Sequence, residues 1–268
     1  MLSETFSFNT KNTEKQRLSD ELAQQWPEIV KKVRERTPAR VLTGRAGSSY
    51  PSRSQLELRE AHAAAVDAVR NELELSSILG KPFCERWKLF EVSTLASSKA
   101  EYLLRPDRGR RLSEEGRAKM KEQCRAEVDL QVVIGDGLSV AAIAAQVPQL
   151  LPLLMQGALR QGLYVGHPFV IRHCRVGVLN DIGELLSPAV TVLLIGERPG
   201  LATAESLSAY LAFRPKRDHS DADRNLVSNI HSRGTPPLLA ATRILDTVSA
   251  MMVQQISGTK LNLASLKP

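Results

Sequence analysis

The stretch VTVLLIGERPG, Val190 to Gly200, constrains the fold more than any other. Val190 to Ile195 is a continuous apolar run rich in β-branched residues, and Gly196 closes it. A run of that kind reads as a strand buried on both faces, which requires a covering layer on each side. Gly196 and Gly200 are expected to supply φ freedom, with Pro199 stiffening the turn between them. The loop then belongs at the carboxyl end of a parallel strand, where open α/β sheets hold their ligands. Glu197 and Arg198 are expected at the mouth of a crevice. An ordinary solvated turn carrying two charges is the competing reading of the same residues.

A second stretch repeats the layout. Asp129 to Ile134 reads as a strand, Gly135-Asp136-Gly137 closes it, and Ser139 caps the helix that follows. If the two strands are neighbours, the GDG and GERPG loops frame one crevice, suited to a large flat ligand. Helix is expected from there to about Arg160, in two pieces around Pro148. Phe169 to His173 is a third strand and Val178 to Leu186 a short helix. Leu207 to Phe213 is a fourth strand, reached from GERPG through a crossover helix. Asp221 to Ser232 reads as short and polar. Thr235 caps a helix with Pro236 at its first position, and Leu238, Ala241, Leu245, Val248 and Met252 form its core stripe. Gly258 ends it.

Ahead of residue 129 the pattern is mostly helical. Leu18, Leu22, Trp26, Ile29 and Val33 mark one helix over Glu14 to Arg36. A long helix over Ser54 to Leu79 carries the small-residue face Leu58, Ala61, Ala65, Ala68, Val69 and Leu73. Phe90 to Ala96 is a short strand. Ser113 caps a further helix running to about Val128. Between the first two helices, residues 39–55 are rich in glycine and arginine; they fit an anion loop or a solvated connection equally, and burial decides. The fold class is therefore α/β: a Rossmann-like parallel sheet flanked by helices, with a mostly helical N-terminal part. The expected division is 1–128 and 129–268.

At 268 residues and 43% hydrophobic content the chain can bury a sizeable core. Its most apolar segment, Leu138 to Leu159, is interrupted by Gln146, Pro148, Gln149 and Pro152, so no membrane partner is expected. The opening MLSETFSFNTKNTEK lacks the layout of a secretory signal. Cys84, Cys124 and Cys174 lie far apart without CxxC spacing, which argues against a disulfide framework or zinc site and for a reducing cytoplasm. The net charge of +7 favours an anionic partner. The basic residues are interspersed with acids, however; even the densest cluster, Arg105, Arg108, Arg110 and Arg111, contains Asp107, and no nucleic-acid partner is expected.

No catalytic set assembles. GxSxG, HExxH and GxxxxGKS are missing from the sequence, and GERPG lacks the GxGxxG layout. His62, His167, His173, His219 and His231 show no ligand spacing. Catalytic and metal-ligating residues are accordingly expected to be none. A stand-alone nucleotide-binding α/β enzyme, using GDG and GERPG for phosphate, remains an alternative.

LQVVIGDGLS, GVLNDIGELL, VTVLLIGERPGLATAESLSAY and ADRNLVSNIHSRGTPPLLAA, with ARVLTGRAG and YLLRPDRGRRLSEE upstream, occur in fixed order. Together they resemble the light, or small, chain of ethanolamine ammonia-lyase, from about Thr37 to about Gly258. The resemblance implies a subunit of an adenosylcobalamin-dependent lyase that converts ethanolamine to acetaldehyde and ammonia by a radical mechanism. It implies a large barrel subunit as partner in a hetero-oligomer, with the cobalamin enclosed where the two chains meet. It implies three cofactor-binding positions: Val176 in CRVGVLND, Glu197 in GERPG, and Leu226 in DRNLVSNIH, where the family usually has cysteine. It also implies a bacterial microcompartment within the cytoplasm, reached through a longer N-terminal extension than the polar residues 1–12.

Overall fold

The computed structural model describes residues 27–37 and 39–263. Leu18, Leu22 and Trp26 lie outside the described residues. Two compact units divide the chain, residues 1–56 and 57–268. In the first, α1 (Glu28–Glu35) buries no residue and carries a Lys31–Glu28 ion pair of 3.3 Å. The glycine- and arginine-rich residues 41–50 are largely exposed, which favours the solvated connection. α2 (Ser52–Arg70) begins at the end of this unit, but most of its residues, buried Ala68 among them, belong to the second.

The second unit is built on a six-stranded sheet of β1 (Glu91–Ser93), β2 (Leu130–Gly135), β3 (Phe169–Arg172), β4 (Val190–Gly196), β5 (Leu207–Phe213) and β6 (Asn225–Ile230), in the order β1-β3-β2-β4-β5-β6. The first four in that order run parallel. β5 and β6 run antiparallel, so the sheet is mixed rather than purely parallel. The expected crossover helix before β5 does not exist. Residues 197–206 hold no helix, and a parallel crossover takes about a dozen residues or more. The chain reverses instead. β6 escaped sequence reading because it is an edge strand: half of it is exposed, and polar Asn225, Ser228 and Asn229 interrupt its apolar residues.

The helices of this unit are α3 (Leu75–Ile78), α4 (Lys81–Trp87), α5 (Lys99–Leu104), α6 (Glu114–Gln123), α7 (Val140–Arg160), α8 (Val178–Leu186) and α9 (Pro237–Gln254). The expected helix to Leu79 is thus broken after Arg70, and the one from Ser113 stops at Gln123. Strand residues alternate between two cores. Val132, Ile134, Val192, Leu194, Ala209 and Leu211 face α7 and α9. Val133, Phe169, Ile171, Leu193 and Ile195 face α8. β4, in the middle, is buried along its whole length.

α7 is one continuous helix through Pro148 and Pro152. Each interior proline costs about 3 kcal/mol. Buried Ile143, Val147, Leu150, Leu151 and Leu154 each return roughly 1.5–3 kcal/mol, which outweighs both prolines. By length and composition α7 is apolar enough to cross a membrane, but these side chains belong to the sheet's core. In α9 the cap is Pro236, Pro237 is the first helical residue, and no side chain caps the end. Leu238 departs from its expected stripe and is 68% exposed, while Ala241, Leu245 and Val248 are buried.

Cys124 and Cys174 are buried thiols and Cys84 a half-buried one. Burial pushes Cys124 up to about 12 and Cys174 well above its ordinary value. Since the thiolate is the reactive form, iodoacetamide at neutral pH is expected to spare both in the folded chain and to label them once urea unfolds it. Mass spectrometry reads the adducts; early labelling of Cys174 contradicts its place in the core.

Candidate functional site

β2 and β4 are parallel neighbours, so their glycine-closed ends abut. The Leu138 N–H donates to the Gly196 carbonyl at 3.0 Å. Gly137 has φ +57°, and a Cβ there falls 2.3 Å from the Gly196 oxygen. Gly196 and Gly200 do not have positive φ, contrary to expectation. Gly196 is needed for space: a Cβ on it falls 2.1 Å from the Ser139 carbonyl oxygen. The two loops therefore do meet, as neighbouring strands require.

Asp136, between the GDG glycines, points inward. Its carboxylate is fully buried. It accepts from the His173 N–H at 3.0 Å and the Cys174 N–H at 2.8 Å, pinning the end of β3 to the end of β2. Lys99 Nζ lies 3.4 Å away and also donates to the Gly137 carbonyl at 3.1 Å. The Lys99 ammonium sits over the Tyr102 ring at 4.9 Å, and the Arg175 guanidinium lies 4.3 Å from the same ring. The Tyr102 hydroxyl donates to the Cys174 carbonyl at 3.0 Å. This buried network stiffens the floor beneath the loops.

Glu197 is held by the strand reversal. Ser206 Oγ donates to Oε2 at 2.6 Å; Ser208 Oγ and the Asn229 N–H donate to Oε1 at 2.6 and 2.8 Å. A carboxylate has about four acceptor positions, and these bonds use three. Oε2 keeps capacity for one further donor.

Above this floor lies a pocket of about 360 Å³. Val176 reaches it from the segment between β3 and α8, Glu197 from the end of β4, and Leu226 from β6. All three sequence-predicted positions thus line one cavity, although they come from separate segments. Leu226 is 49% exposed and stands opposite Tyr210 in the sheet register. Tyr102, Ser208 and Tyr210 also line the pocket. Sequence reading missed all three, since no spacing links them to the loops. Burial pushes the Tyr210 phenol up, with Asp221 and Glu197 adding to it.

The histidines take structural partners in several cases. His173 joins the Ala96 carbonyl at 2.9 Å and Glu72 at 3.0 Å. His167 meets the Lys88 carbonyl at 2.8 Å and His231 meets Asn229 at 2.8 Å. Among the described residues no group of three or more His, Cys, Asp or Glu side chains is arranged to hold a metal ion.

The pocket offers an anchored acceptor, apolar walls and the Tyr210 phenol at the carboxyl end of a parallel sheet segment. The class that the fold defines is an α/β domain built on a mixed six-stranded sheet. A family profile, ethanolamine ammonia-lyase light chain (EutC), matches residues 27–262. The chain belongs to the ethanolamine ammonia-lyase light-chain family, whose members are one subunit of that carbon–nitrogen lyase. An ethanolamine ammonia-lyase small subunit from Fusobacterium nucleatum subsp. nucleatum is 43% identical over 232 residues, spanning 87% of this chain and 77% of the relative. One from Clostridium perfringens is 40% identical over 229 residues, spanning 85% and 76%.

Proposed function

We propose that this chain is the small subunit of an ammonia-lyase acting on ethanolamine, and that its pocket holds one side of adenosylcobalamin. The observation that carries this reading is the convergence of Val176, Glu197 and Leu226 on one cavity. Adenosylcobalamin, when bound, supplies an adenosyl radical by homolysis of its cobalt–carbon bond. The residues of this chain orient and shield it. Glu197 Oε2 accepts an amide N–H or hydroxyl from the periphery of the corrin. Val176 and Leu226 give apolar contact, and at the latter position an apolar contact needs no thiol. The pocket volume lies near the low end of the ~300–1,000 Å³ usual for small-molecule sites. It therefore forms one wall, and the large barrel subunit supplies the other together with the substrate site.

The test is reconstitution. The isolated chain is expected to give no acetaldehyde from ethanolamine. Mixed with an ethanolamine ammonia-lyase large subunit and adenosylcobalamin, it is expected to give acetaldehyde and ammonia in equal amounts. If the pair gives no product while the same large subunit is active with its native small subunit, the reading is wrong.

A further inference from the structure

Beside the pocket, and sharing Arg175, Val176 and Tyr210 with it, lies a second cleft of about 560 Å³. Arginines from four separate segments converge on it: Arg110 from the turn after α5, Arg175 after β3, Arg217 after β5 and Arg224 at the start of β6. Two carboxylates also line it, and both are already engaged. Asp181 holds Arg111 at 3.0 Å, Arg117 at 3.3 Å and the Leu112 N–H at 2.8 Å. Asp221 pairs with Arg224. Among the described residues, Arg110, Arg175 and Arg217 have no carboxylate within ion-pair distance.

The buried polar atoms point the same way. The Arg224 side chain is only 5% exposed. Its Nη2 donates to Asn180 at 2.9 Å, but its Nε has no hydrogen-bond partner. Arg175 Nε and His219 Nδ1, which belong to the same cleft, are also buried without partners. Burial pulls the Arg224 guanidinium below its ordinary value despite the opposing effect of Asp221. Positive charge is thus gathered in a concave site with too few anions and too few acceptors to balance it.

We propose that this cleft is a binding site for a phosphate-ester anion. Guanidinium groups match phosphate oxygens in bidentate geometry. A tetrahedral phosphate presents oxygens in several directions at once, as arginines arriving from four segments require; a planar carboxylate does not. The anion has two possible sources: the phosphodiester in the nucleotide tail of a cobalamin seated in the adjoining pocket, or a free phosphate ester. The first source rests on the cofactor reading above, whereas the site itself does not.

The experiment has two arms. In the first, inorganic phosphate is titrated into the isolated full-length chain, with potassium chloride at matched ionic strength as control. Phosphate is expected to raise the melting temperature saturably beyond the chloride control, and the Arg110→Ala/Arg217→Ala variant is expected to lose that rise. Both side chains are exposed, so the variant is expected to fold; the single variant Arg217→Glu is a second check at one surface position. Equal shifts with phosphate and chloride, or a shift retained in both variants, overturn the proposal. In the second arm the two-subunit complex binds adenosylcobalamin or adenosylcobinamide, which lacks the nucleotide tail. A loss of at least tenfold for the former alone in the double variant assigns the site to the tail phosphodiester. Affinities unchanged for both corrins assign it to a free phosphate ester, given a positive first arm. An equal loss for both corrins overturns the tail assignment. If the wild-type complex binds neither corrin, the cofactor reading fails and the first arm alone decides the cleft.

Discussion

Asp136→Ala is expected to lower the stability of the chain by about 3–5 kcal/mol, the range for leaving one partner of a buried ion pair uncompensated. The substitution strands several groups together. Lys99, itself buried, loses its carboxylate, and the His173 and Cys174 N–H groups lose their acceptor. Each orphaned buried donor adds roughly 1–3 kcal/mol, although overlap keeps the total from being a simple sum. Asp136→Asn keeps the shape and one acceptor oxygen, but it sets an amide against the ammonium or a backbone N–H. An intermediate loss is expected. Urea unfolding of the full chain, with the slope held common, reads both variants. A loss below about 1 kcal/mol for alanine, small beside the desolvation cost of the stranded groups, means that water or rearrangement serves them, and the network is then no anchor.

Glu197→Ala is expected to weaken adenosylcobalamin binding to the two-subunit complex by roughly tenfold to a hundredfold, the range for losing a hydrogen bond to a charged group. Its effect on folding should be much smaller. Ser206 and Ser208 are hydroxyls that can rotate to other acceptors, and Asn229 lies exposed on the edge strand. Glu197→Gln separates charge from hydrogen bonding: it keeps an acceptor oxygen and removes the charge. Recovery of most of the affinity with glutamine identifies the acceptor as the important feature. Spectral titration of the assembled complex measures each case, and unchanged affinity in the alanine variant removes Glu197 from the site.

The strands near the pocket were legible in the sequence because their apolar runs are bounded by glycine. β2 and β4 lie within a residue of their expected places. Their direction was not legible. An apolar run reports burial on two faces and is silent about whether the next strand returns parallel or antiparallel. The clue lay in the short connection at residues 197–206. Glycine was read for the wrong property at Gly196, since a sequence cannot tell a backbone that needs positive φ from one that needs room. Asp136 looked like a loop residue because aspartate is usually exposed; only the chain folding back from β3 supplies the N–H groups that turn it inward. Val176 and Leu226 are ordinary apolar residues, and family resemblance alone singled them out. The arginines of the second cleft are spread from Arg110 to Arg224, too far apart for any local pattern to register them.

The reversal at β5 also affects how the pocket can change over time. Ser208 and Tyr210 line the cavity, while Ala209 and Leu211, alternating with them, are sealed into the core beneath α7 and α9. Pleating therefore places pocket-lining side chains at the even positions of this strand and core side chains at the odd ones. Such a wall can be altered one side chain at a time without entering the core under α7 and α9, but a change at Ser208 gives up its bond to Glu197 and a change at Tyr210 gives up its packing on the core that faces α8.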